Sequence, residues 1–207
     1  METAISKERR FRKISFLLAV LLLVCGAWRL VTPLAAAVNP LWSTARISCT
    51  PACTAVLDPV RLLDRELRDG ARGRPGVEER IRAGARSGAV HASVAAARTL
   101  KALPEAIFFF SLAAASLAFS RSGIQRKSLR WLRRAAWSAL LYPIAGAAAH
   151  ALNSFATTPL ILANREVHLG IYPQELILGL AAAAGLWLII WAMDEALSLR
   201  TDLDDYV

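Results

Sequence analysis

The chain has 207 residues, 56% of them hydrophobic and only 20% charged, with a mean hydropathy of +0.41. An apolar content above the soluble average of about 45–50% excludes intrinsic disorder, and three cysteines are too few for a disulfide-dense secreted fold. A formal charge of +9, from 25 basic and 16 acidic side chains, would suit a nucleic-acid binder, so the placement of those charges decides what they mean.

They fall in blocks separated by long uncharged runs. Lys7, Arg9, Arg10, Arg12 and Lys13 precede 15 uncharged residues that end at Arg29, and the apolar run resumes to Val38. About 20 mostly apolar residues cross a hydrocarbon core about 30 Å thick, which predicts a first span near 14–38. A cleavable signal peptide competes for this segment, with its basic start and the small residues Ala35–Ala37. The apolar stretch is longer than a typical signal core, which favours a retained span. Arg29 lies well along that span, near its outer third, and is expected to snorkel outward to the interface. Cys25 reads as a small hydrophobe.

Residues 39–102 carry eleven bases and six acids and are expected outside the membrane. Asp58-Pro59 predicts a capped short helix through Arg68, and Asp69-Gly70 and Arg74-Pro75-Gly76 predict turns. A second helix is predicted from Val77 through Thr99, continuing into the next span with a kink or restart at Pro104. The segment therefore reads as a mostly helical insertion. Cys49 and Cys53, in Cys-Thr-Pro-Ala-Cys, form a candidate disulfide closing a small loop on the oxidising side. Two free thiols, or a soft-metal site shared with His91, are the alternatives.

The second span is predicted near 103–120, with Glu105 as its one charge. Residues 121–134 then carry six bases and no acid, interleaved with Leu129, Trp131 and Leu132. This pattern predicts a basic amphipathic helix running into a third span near 135–157. Arg126, Lys127, Arg130, Arg133 and Arg134 would face anionic headgroups or a partner. Within the third span, His150 and Asn153 share a face and form a candidate polar seam, read first as interhelical hydrogen bonding beside small residues and second as a transport path. A fourth span is predicted near 174–193, where Ala181 and Gly185 stand at packing spacing and Gly179 and Gly185 would let a neighbour approach.

The tail, 194–207, reverses the charge. Asp194, Glu195, Asp202, Asp204 and Asp205 oppose Arg200 alone. Acids at a helix C-terminus work against its dipole, so the tail is expected to dock on the basic 121–134 segment or on a basic cytosolic partner. Basic residues retained inside place both termini and the 121–134 loop in the cytoplasm. The fold class expected is thus all-α, a four-helix membrane bundle with N-in and C-in topology.

From Val167 onward the chain reads Val167-His-Leu-Gly-Ile-Tyr-Pro-Gln-Glu-Leu-Ile-Leu-Gly-Leu180, then Trp191-Ala-Met-Asp-Glu-Ala-Leu-Ser-Leu-Arg-Thr-Asp-Leu-Asp-Asp-Tyr-Val207. Leu103-Pro104 opens span two, and Ser122-Gly123 precedes Leu129-Arg-Trp-Leu-Arg-Arg134. In these stretches, roughly half its length, the chain resembles the bacterial membrane family called domain of unknown function 2975. That resemblance implies four spans, a larger segment after the first, a basic loop before the third, and a regulatory partnership. It brings no catalytic residues, and the segment with Cys49 and Cys53 departs from it.

No phosphate-binding glycine loop, paired metal-ligating histidines or nucleophile elbow occurs. The sequence thus predicts a non-enzymatic bacterial inner-membrane protein that acts by interaction or regulation. No cofactor, metal or nucleic acid is expected; the expected partners are the bilayer with its anionic headgroups and a cytosolic protein or a second copy. The alternatives are a permease using the His150/Asn153 seam and an extracytoplasmic thiol or metal module.

Overall fold

The computed structural model describes residues 2–38, 45–49, 53–57, 76, 79, 80, 83, 87–122, 126–161 and 172–204. Among these are four long helices, α1 (Glu2–Val38), α2 (Gly88–Ser122), α3 (Arg126–Ile161) and α4 (Pro173–Asp204), and two strands, β1 (Ala45–Cys49) and β2 (Cys53–Leu57). All four helices are long and apolar enough to cross a membrane. Their faces make the same point. Leu17, Leu21, Val24 and Trp28 on α1, and Ile177, Leu188 and Trp191 on α4, are exposed side by side. Water would not tolerate so large a contiguous apolar surface. Lipid does, and the chain is a multi-pass membrane protein.

The spans are helical because a bilayer interior offers backbone groups no water to bond, so each segment must satisfy its own. Pro104 lies inside α2 without ending it, where the sequence predicted a kink or restart. Helix α2 is already established at Gly88, so the residues from there to Thr99 belong to the helix that carries span two. Helix α3 starts at Arg126, which makes most of the basic segment helical, and α4 carries the backbone of the acidic tail to Asp204.

The strands are a departure from the mostly helical insertion. Antiparallel pairing of β1 with β2 sets Ala45 opposite Leu57 and Cys49 opposite Cys53. The run Ala-Arg-Ile-Ser-Cys, then Cys-Thr-Ala-Val-Leu, supplies the β-branched residues and alternation that a short hairpin needs. The register brings the two cysteine backbones together. Their side chains, and the short helix expected over 58–68, lie outside the described residues.

The contacts divide the chain into two units. The first comprises Met1–Arg29, Leu103–Ile144 and Tyr172–Val207, and brings together portions of all four helices. Small residues set its spacing. A Cβ on Gly26 would stand 2.8 Å from Cε1 of Phe110 and 3.2 Å from Cβ of Phe109, so the Phe110 ring of α2 packs directly on the Gly26 backbone of α1. One on Gly179 would stand 2.8 Å from the backbone oxygen of Ala139 and 3.0 Å from Cδ of Pro143, which fixes α4 against α3. Hydrophobic attraction between helices fades in lipid, so close packing of this kind holds them. Leu129, Leu132 and Ala136 of α3, Ala115 of α2 and Ile190 of α4 form one buried cluster, with Met193 and Leu197 packed on it.

Hydroxyls mostly bond within their own helix, as Ser138 does to the oxygen of Ala135 and Ser120 to that of Leu117. Ser116 is different: its hydroxyl donates to the backbone oxygen of Ser15 at 2.8 Å, joining α2 to α1. Ser116→Ala should therefore lower thermal stability in bilayer discs by about 0.6 kcal/mol, the average measured for interhelical bonds in membranes. Ser120→Ala, which cuts only a local bond, should leave it unchanged.

The second unit, Leu30–Ala102 with Ala145–Ile171, buries Val94, Ala97 and Ala102 of α2 and Ala149, Asn153, Ser154 and Thr157 of α3.

Candidate functional site

In the first unit, charges meet across helices at the Arg133–Asp194 and Arg29–Glu105 pairs. The first joins the beginning of α3 to the last turns of α4. Arg133 Nη2 lies 2.7 Å from Asp194 Oδ2, and both side chains are about half exposed. The geometry follows from the amphipathic start of α3. Leu129 and Leu132 turn into the buried cluster, whereas Arg126, Lys127, Arg130, Arg133 and Arg134 stay exposed. Arg134 stacks on its neighbour, with Cζ 4.6 Å from the Trp131 ring centre. On α4, Met193 and Leu197 pack toward the cluster and hold Asp194 beneath Arg133. Of the acids in the expected tail, Asp194 meets the basic segment in this one contact. The side chains of Asp202 and Asp204, and the whole of Asp205, lie outside the described residues.

The second place is a cavity of about 370 Å³ lined from all four helices. Arg29 comes from α1, Glu105 with Phe108 and Phe109 from α2, Tyr142 from α3, and Leu178 and Ala182 from α4. Arg29 Nε stands 2.9 Å from Glu105 Oε2. Arg29 therefore does more than snorkel to an interface. Its side chain is 56% exposed and that of Glu105 only 16%, so the carboxylate is the buried partner. Tyr142 hydrogen-bonds the same carboxylate. Oε2 nevertheless has no hydrogen-bond donor of good geometry among the described residues. The contact to Nε is an ion pair by distance, without the alignment of a hydrogen bond.

Sequence reading noted Arg29 and Glu105 separately and passed over Tyr142. A usable signal was present. Arg29 lies 16 residues beyond Lys13, and Glu105 lies 16 residues before Arg121. In antiparallel helices that start from one membrane face, equal counts mean equal depth, roughly 24 Å at 1.5 Å per residue.

His150 and Asn153 both fall in the second unit. Asn153 is buried and its Oδ1 has no hydrogen-bond partner among the described residues, while His150 is half-buried and engaged. The lining of the cavity includes neither of them. Among the described residues, no three histidine, cysteine, aspartate or glutamate side chains come together as metal ligands. Ala181 and Gly185 also differ from the packing role read for them: both are exposed, and a Cβ on Gly185 would meet nothing within 4 Å.

No protein-family model, curated protein or solved structure matches the chain. The likeness to domain of unknown function 2975 rests on its residue pattern alone.

Proposed function

We propose that the chain is a non-enzymatic protein of the bacterial inner membrane, with both termini in the cytoplasm, that works by binding partners at its cytoplasmic face. The observation that carries this reading is the Arg133–Asp194 contact, which ties α4 at Asp194 to the basic start of α3. Both charges are half exposed, and an ion pair of that kind contributes about 0–1 kcal/mol. A clamp so weak is exchangeable. Each base near an anionic leaflet gains about 1 kcal/mol, so headgroups can compete with Asp194 for Arg133. A basic cytosolic segment can compete for the acids in the same way. The regulatory partnership implied by the family resemblance agrees with this arrangement.

Cysteines replacing Arg133 and Asp194 should be joined in native membranes by a bifunctional thiol crosslinker about as long as the arginine side chain, and failure to join would sink the clamp. Affinity capture from those membranes tests the function itself. The intact chain should recover a cytosolic partner that a chain truncated after Arg200 does not. Equal recovery by both would overturn the reading.

A further inference from the structure

The cavity of the first unit holds one cation and one carboxylate side by side against an apolar wall, and the clamp between α3 and α4 uses neither. Each of the two groups has a distinct requirement. Arg29 meets Glu105 through Nε, and a guanidinium carries five N–H donors in a fixed fork, so one such contact leaves donors for a second acid. Its exposure makes it reachable. Glu105 Oε2 is buried and lacks a well-aligned donor among the described residues. A simple anion would satisfy Arg29 but would be repelled by Glu105. A simple cation would meet the reverse problem. A zwitterion answers both, with its acid on the guanidinium and its N–H donors on the carboxylate.

The wall apart from Ser138 and Tyr142 says what carries the zwitterion. Phe108, Phe109, Leu178 and Ala182 offer an apolar surface with no polar group to satisfy. Leu178 precedes Asp194 by 16 helical residues, roughly 24 Å against a hydrocarbon core about 30 Å thick. With Asp194 near one membrane face, the Arg29–Glu105 pair lies close to the other headgroup layer, within reach of a lipid phosphate. We propose that the cavity is a phospholipid site selective for a phosphoethanolamine headgroup. The phosphate lies on Arg29, the ammonium on Glu105, and part of one acyl chain lies along Phe108, Phe109 and Leu178.

The test uses the full-length chain in a membrane holding equal amounts of phosphatidylethanolamine and phosphatidylglycerol. Lipid retained after extraction is read by native mass spectrometry. Phosphatidylethanolamine should be kept over phosphatidylglycerol by roughly tenfold, the size of one charge-assisted hydrogen bond. Glu105→Gln, which keeps the shape of the side chain, should bring the two lipids level. Arg29→Gln should reduce retention of both. Ala182→Trp, filling the apolar part with both charges intact, should lower phosphatidylethanolamine retention as well. Equal retention by the native chain, a preference for phosphatidylglycerol, or a native preference that survives Glu105→Gln would each overturn the proposal. Since Glu105→Gln is the mildest of these changes, its readout stands even if Arg29→Gln fails to fold. The clamp plays no part in this test, so its failure leaves the cytoplasmic reading unaffected.

Discussion

Arg29→Leu is expected to destabilise the protein far more than Glu105→Leu, although the two residues share one ion pair. The asymmetry comes from burial. Glu105 is 16% exposed and Arg29 is 56% exposed. Removing the arginine leaves a largely buried carboxylate without its counter-charge, and such uncompensated buried charges cost about 3–5 kcal/mol. The low end, about 3 kcal/mol, applies here because Arg29 is half open and Tyr142 still bonds the carboxylate. Removing the glutamate leaves an arginine that can turn its head to the interface, at a cost of about 1 kcal/mol or less.

The double replacement should resemble Glu105→Leu alone, because without the carboxylate there is no charge for Arg29 to compensate. Unfolding of all three variants in bilayer discs would show this as a coupling of about 3 kcal/mol. Equal losses in the two single variants would mean that Glu105 is solvated by something other than Arg29.

The contrast between the two ion pairs shows what the sequence disclosed. Spans were legible because charge is excluded from hydrocarbon, so runs such as the 18 residues between Glu175 and Asp194 stand out. The tail's need for a counter-charge was legible from the helix dipole, and Asp194 meets Arg133. Arg29 and Glu105 are 76 residues apart, and their meeting depends on the rotation of two helices about their axes. Mean composition carries no record of that rotation, although the equal count from Lys13 and from Arg121 does record depth. The hairpin was hidden for another reason. Its strands are five residues each, and Cys-Thr-Pro-Ala-Cys drew the reading toward thiol chemistry instead of strand pairing.

Glycines on α4 give the sharpest lesson, because Gly179 and Gly185 both read as points of close approach and only Gly179 meets a neighbouring helix among the described residues. Gly185 stands four residues from Ala181, yet it faces open space. Gly179, outside that motif, stands where an added Cβ would come within 2.8 Å of the Ala139 oxygen. A helical alanine is worth up to about 1 kcal/mol over glycine, so Gly185→Ala should be neutral or mildly stabilising. Gly179→Ala gains the same propensity and loses more. The obstacle is backbone, with the Pro143 ring beside it, so no side-chain rotation relieves the overlap and α4 must move off α3. Overpacking of this kind costs about 1–3 kcal/mol, and Gly179→Leu should exceed Gly179→Ala. Because Gly179 also lines the cavity, the displacement should loosen lipid retention in step with stability, whereas Gly185→Ala should alter neither. Thermal unfolding and lipid retention measured on the same samples would check both. A Gly179→Ala protein as stable as Gly185→Ala would show that α3 and α4 do not meet at the distance described.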